Sequence, residues 1–286
     1  MEIGSLIEPD VLKVSDEPLV IIDTRAPEAY AQGHLPGAFN MRDIFTYLAT
    51  STPHGLLDTQ NTFAALFGAI GLSGKERAVV YEDSMDNGFG QSCRGYYLLK
   101  YLGYKNASVL HGGLQGWRAA GFPTRVDVPA LPVPAVFPLS VDKRLMVTKQ
   151  EMVAALTDPH IVKLDVRDPP EWNGLSATPS GHDPVLRVGR IPGAQWIEWQ
   201  KLLDPEAEVA RFLPAEEIRT VFEQAGIGIN SSLYIYCYKG SRAANTFVAL
   251  QQAGFENARI YFASWNEWGR DLDLPVEVDP QVAYAL

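Results

Sequence analysis

The sequence predicts an α/β protein made of two tandem domains, each a parallel sheet with helices on both faces. Three observations predict it. Short apolar, β-prone runs alternate with helically spaced segments throughout the chain. The two halves match one another segment by segment. A stretch with four prolines, 128–138, lies between them and reads as an extended, fairly stiff linker, which puts the boundary near residue 138 and the domains at 1–138 and 139–286.

In the first half the strands are expected at 19–22, 78–81 and 107–110, and the helices at 59–70 and 92–102. In the second half the strands are expected at 161–164, 233–236 and 258–261, and the helices at 214–225 and 242–253. Strand–helix alternation of this kind argues for parallel sheets covered on both faces. The repeat pairs 19–25 with 161–167, Gly33 to Ala38 with Gly189 to Ala194, 78–81 with 233–236, and 113–117 with 264–268. A repeat this long is a duplicated domain rather than a solenoid array.

Composition narrows the function classes. The 286 residues are 47% hydrophobic, enough to bury a sizeable core. A formal net charge of −10 argues against an electrostatically driven nucleic-acid partner. No apolar run reaches the length of a membrane span, and 1–5 lacks the basic and apolar regions of a signal peptide. Two cysteines, Cys93 and Cys237, cannot form a disulfide framework, and a free thiol fits a reducing cytoplasm.

The stretch that carries chemistry is Cys237-Tyr238-Lys239-Gly240-Ser241-Arg242, between a buried strand and a helix. The loop's backbone N–H groups can turn inward as an anion cradle, and the helix N-terminus adds partial positive charge. Lys239 and Arg242 add two full charges, and all of these favour the thiolate, which is the nucleophile. Gly240 relieves the backbone where a Cβ would resist. Cys93 falls inside a helix and reads as a small buried residue. The position matching Cys237 in the first half is Glu82, in an acidic loop, 82–90, that offers no nucleophile and would repel an anion.

These segments resemble the rhodanese (sulfurtransferase) family. Asp165-Val166-Arg167 with Glu171-Trp172 is similar to its D-x-R…E-[YW] motif, and Gly189 to Ala194 to its G-H-I-P-G-A motif, with Arg190 in place of histidine. Ser264-Trp265-Asn266-Glu267-Trp268 is similar to its closing S-W-x-E-W. The resemblance implies two tandem rhodanese-like domains, the first inactive, with Cys237 catalytic and Tyr238, Lys239, Gly240, Ser241 and Arg242 binding substrate. His54 resembles an interdomain histidine of the family. His182 and Arg187, in a Gly-, Pro- and Ser-rich surface loop at 173–188, are candidates to approach substrate. Arg25 and Arg167 read as structural, ion-paired for example with Glu28 and Glu171. Glu171 stands where vertebrate thiosulfate enzymes have a substrate-holding arginine.

The five-position spacing from Cys237 to Arg242 is one residue shorter than in the phosphatases and arsenate reductases on this fold. The shorter ring suits a single sulfur atom rather than a tetrahedral phosphate. The expected reaction moves a sulfane sulfur from thiosulfate, through a Cys237 persulfide, to cyanide or a thiol. It needs no metal or organic cofactor, and the expected partners are these small molecules, with neither nucleic acid nor membrane. 3-Mercaptopyruvate is the alternative donor, since C-G-S-G-V-T loops go with it and C-R-K-G-V-T loops, which share the lysine, go with thiosulfate. A persulfide carrier would need the same cysteine.

Overall fold

The computed structural model describes residues 4–130, 132–181, 183 and 186–278. In chain order, its first half contains β1 (Leu6–Ile7), α1 (Pro9–Lys13), β2 (Leu19–Asp23), α2 (Pro27–Ala31), β3 (Phe39–Asn40), α3 (Asp43–Thr46), α4 (Pro53–Ala69), β4 (Arg77–Tyr81), α5 (Gln91–Tyr101), β5 (Ala107–Leu110) and α6 (Gly113–Ala119). The second half contains α7 (Lys149–Ala154), β6 (Ile161–Asp165), α8 (Pro169–Trp172), β7 (Gln195–Trp196), a 3₁₀ turn at Trp199–Leu202, α9 (Ala215–Gln224), β8 (Ser232–Tyr236), α10 (Ser241–Gln252), β9 (Ala258–Ile260) and α11 (Ser264–Trp268). Every expected strand and helix is present within a few residues of its expected ends, the largest shift being an earlier start to α4. The additions are short: two-residue edge strands and helices of four to seven residues, too brief for a periodic signal.

The strands form two all-parallel sheets, ordered β1-β5-β4-β2-β3 and β7-β6-β8-β9. Their central strands are buried on both faces, as the continuous apolar runs of β4, β5 and β8 require. Among the described residues, no helix is long and apolar enough to cross a membrane.

The chain divides into two compact units. The first takes the described residues within Met1–Tyr47, Leu57–Lys143 and Leu203–Phe212; the second takes those within Leu48–Leu56, Arg144–Leu202 and Leu213–Leu286. In this division the first unit's long central stretch runs to Lys143 and the second unit resumes at Arg144. The last residues of that stretch stay with the first unit because the Ser140 and Asp142 amides donate to the Leu102 and Tyr101 carbonyls. Each unit also includes a segment from the opposite half of the sequence. In the second unit, Ser51 donates from its amide (2.7 Å) and its hydroxyl (2.6 Å) to the Glu267 carboxylate. In the first, the Phe212 amide donates to His111 Nε2 at 3.1 Å, and His111 Nδ1 faces Glu8 at 2.6 Å.

The duplication extends to single atoms. Arg25 clamps Asp23 and the Gly33 carbonyl, both at 2.7 Å, and Arg167 clamps Asp165 and the Gly189 carbonyl at the same distances. The Tyr81 hydroxyl donates to Asp23 and accepts the Leu35 amide, while that of Tyr236 accepts the Ile191 amide. Both arginines are structural, as expected, but their partners are not Glu28 and Glu171. The carboxylate two residues back is already aligned by the strand end, and it takes the guanidinium through Nε and Nη2. Burial, with the Asp165 carboxylate alongside, holds the Tyr236 phenol well above its usual range.

Glu82 also departs from expectation. Its side chain is fully buried rather than displayed on an acidic loop. It accepts the Ser92 hydroxyl at 2.6 Å and the Gln91 amide at 3.2 Å, at the N-terminus of α5. Its carboxylate is the first unit's own internal anion. Burial pushes its pKa up to about 7, against the pull of the Ser92 and Gln91 hydrogen bonds, and Asp86 adds to the rise. An acid whose pKa rises on folding loses stability as pH climbs from about 4.5, its unfolded value, to about 7. Over that window the loss is about 3 kcal/mol, by the linkage of 1.36 kcal/mol per pKa unit. Glu82→Gln, which resembles the protonated acid, should therefore raise Tm relative to wild type more at pH 8 than at pH 5. Thermal unfolding at both pH values measures this, and an equal difference at both would show that Glu82 does not titrate in that window.

Candidate active site

Cys237 begins the loop that follows β8, and α10 begins at Ser241. The thiol is buried, with 1% of the residue exposed. Its Sγ accepts the Gly240 amide at 3.1 Å. Gly240 has φ of +92°, and a Cβ there would lie 2.8 Å from both the ring and the carbonyl oxygen of Phe262. Glycine is thus required both for the turn that aims this N–H at sulfur and for the space it occupies.

The loop is tied down from α11. The Cys237 amide donates to Ser264 Oγ at 3.2 Å, and its carbonyl accepts the Trp265 amide at 3.0 Å. The Tyr238 carbonyl accepts the Asn266 amide at 2.9 Å. Tyr238 packs half-buried against the apolar cluster that contains Trp265 and Trp268. Lys239 is half-buried. Ser241 is buried, and its Oγ makes no hydrogen bond among the described residues.

Arg242 differs most from its expected place. Its guanidinium is buried and makes a two-armed pair with Glu171, Nη1 at 2.5 Å and Nη2 at 3.0 Å, with Asp168 Oδ2 at 3.0 Å from Nη1. Burial works against the charge, but the Glu171 carboxylate, Cys237 and Asp168 together outweigh it and hold the arginine's pKa above its ordinary value. Glu171 is the counter-ion of Arg242. This buried ion pair commits Arg242 to α8. Asp168 is held in turn by Trp199 Nε1 at 2.9 Å.

The remaining candidates have structural engagements. Arg187 donates to the carbonyls of Gly269, Leu274, Trp268 and Asp271, at 2.5–3.2 Å. It pins the 173–188 loop, whose Ala177 and Leu186 are buried in the same apolar cluster as Trp265. That loop, read from its composition as solvated, is partly core. Arg190 pairs with Glu277 at 2.7 Å and lies over the Trp172 ring. His54 stands in the first turn of α4, on the segment that belongs to the second unit. His182 lies outside the described residues. Cys93 is buried within α5.

Comparison with known proteins agrees with this geometry. The rhodanese-like domain matches residues 10–120 and again 148–271. The chain belongs to the rhodanese-like family, with two copies of its domain. A thiosulfate sulfurtransferase of Pseudomonas aeruginosa is 30% identical over 276 residues, covering 96% of this chain and 97% of that one. The sulfur carrier protein TtuD of Thermus thermophilus is 29% identical over 283 residues, covering 93% and 90%. The anaerobic ergothioneine biosynthesis enzyme of Chlorobium limicola has the same fold, with a TM-score of 0.80 at 23% identity, over 96% of this chain and 70% of that one. Such full-length relatives place the chain among sulfurtransferases.

The Arg242–Glu171 pair makes a measurable claim. Removing one partner of a buried pair strands the other charge, at about 3–5 kcal/mol. Arg242→Met and Glu171→Met should each destabilise strongly, and the double variant should lose much less than their sum. Urea unfolding of all four proteins tests this; additive losses would mean the two side chains do not depend on one another.

Proposed function

We propose that the protein is a thiosulfate sulfurtransferase acting through a persulfide on Cys237. The observation that carries the reading is the Gly240 amide donating to Cys237 Sγ at 3.1 Å, at the head of a twelve-residue helix. A donor aimed at sulfur, together with the N-terminal end of α10, stabilises negative charge there.

The reaction is a double displacement. The Cys237 thiolate attacks the outer sulfur of thiosulfate, a new S–S bond forms, and sulfite leaves with the electron pair of the old one. Cyanide or a thiolate then attacks the outer sulfur of the persulfide, and the pair of the broken S–S bond returns to Cys237 as thiolate. Gly240 N–H and the uncommitted Ser241 hydroxyl serve the terminal sulfur. Tyr238 lines the approach. Lys239, the less buried of the two loop cations, attracts the dianion, while Arg242 supports the loop from below with its charge shared with Glu171. 3-Mercaptopyruvate is the second reading, supported by a 28% identical Arabidopsis thaliana relative named for both donors, and a carrier role is supported by the likeness to TtuD.

Cys237→Ser should abolish thiosulfate:cyanide transfer, and Cys93→Ser should leave most of it. A folded but inactive Cys93 variant would move the nucleophile. Turnover of an aryl phosphate that depends on Cys237 would overturn the reaction class.

Lys239→Ala tests donor choice. Loss of one charge-assisted hydrogen bond is worth about 1.5–3 kcal/mol. The kcat/KM for thiosulfate should therefore fall roughly ten- to a hundredfold, and that for 3-mercaptopyruvate less. Steady-state kinetics with each donor and a common acceptor decide it: equal losses would show that Lys239 does not select the donor, and a wild-type preference for 3-mercaptopyruvate would make that the substrate.

A further inference from the structure

Ser264 holds a backbone conformation that serine seldom takes, with φ of +57° in the left-handed region. The matching position in the first unit is Gly113, with φ of +61°. Hydrogen bonds establish the match. Leu114 donates to the Glu82 carbonyl as Trp265 does to that of Cys237, and Gln115 donates to Asp83 as Asn266 does to Tyr238. In the first unit a Cβ on Gly113 would lie 2.5 Å from the Glu82 carbonyl oxygen and 2.9 Å from that of Asp83. The second unit keeps the conformation but admits a side chain, at a cost in strain.

That side chain is a hydroxyl, fully buried, which accepts the Cys237 amide at 3.2 Å and donates to the Tyr261 carbonyl at 2.8 Å. Both peptide groups flanking the Cys237 Cα are therefore tied to consecutive residues, the N–H to Ser264 and the C=O to Trp265. With these two ties the direction of the Cα–Cβ bond is set, and one torsion remains to bring Sγ to the Gly240 N–H. The glycine of the first unit would meet the backbone requirement without strain but would release the Cys237 amide.

We propose that Ser264 is a positioning residue for sulfur transfer, holding Cys237 in line through its backbone amide. The proposal rests on the reading of Cys237 as the nucleophile. Backbone strain next to a reacting group is retained where the arrangement serves the reaction. A small misplacement of a nucleophile slows the reaction far more than the energy of one hydrogen bond would suggest.

The test compares Ser264→Gly with Ser264→Ala by thermal unfolding, by steady-state kinetics with thiosulfate and cyanide, and by the rate of Cys237 alkylation with iodoacetamide, followed on the Cys237 peptide by mass spectrometry. Ser264→Gly, free of the strain, should melt at or above Ser264→Ala. Both should lose about tenfold or more in kcat while the donor KM stays within about twofold. Cys237 alkylation should slow in both. Wild-type kcat in the glycine variant, a loss confined to KM, or alkylation unchanged or faster would overturn the positioning role. Absence of thiosulfate turnover by the wild type would instead sink the proposed function, and the alkylation rates, which need no sulfur donor, would still decide on Ser264.

Discussion

A guanidinium deprived of water is held in place only by its partners, and the second unit is arranged around one such group. Arg242 sits in the first turn of α10, buried against Glu171 of α8 and reached also by Asp168. α8 follows β6 and α10 follows the Cys237 loop after β8, so the pair joins the ends of two adjacent strands at the point where the chain leaves the sheet. An isolated charge at that depth would cost several kcal/mol, which is why neither partner is expendable alone. The pair also divides the labour of the loop cations: one is structural and buried, and the recognition of an anion falls to Lys239 in the proposed reaction.

The two units answer one electrostatic question in opposite ways. Each brings a helix N-terminus and a tight loop to the end of its central strand, and each needs negative charge there. In the first unit the carboxylate of Glu82 supplies it from within once deprotonated, hydrogen-bonded to Gln91 and Ser92. In the second the place is taken by a thiol, and Gly240 N–H faces a sulfur that, in the proposed reaction, exchanges its cargo. The shared framework beneath, Asp–Arg–Tyr in each copy, is independent of which answer is used.

Much of this is readable in the residues. The strands, the long helices and the duplication follow from periodicity and self-similarity, and the loop beginning at Cys237 is marked by its cations and glycine. The pairings are not readable. Glu171 lies four residues after Arg167 and reads as its local partner, whereas its true partner is 71 positions away and is set by how α8 and α10 pack. The 82–90 loop reads as an acidic loop that repels anions because composition does not say which carboxylate turns inward. Ser264 carries no sign of strain by itself, yet the internal alignment already sets it opposite Gly113, and a glycine opposite a serine is a signal for positive φ.

The segments that each unit takes from the opposite half of the sequence impose an order on the molecule's assembly during synthesis. Chain growth runs from the N-terminus, and early domains fold as they emerge. Here the first unit lacks Leu203–Phe212 until β6 and α8 of the second have already appeared. Conversely, Leu48–Leu56 waits for its partner Glu267, which is made long after it. Two halves that look separable at a proline-rich linker thus each depend on a segment from the other, and a gene cut at that linker would deliver two incomplete units.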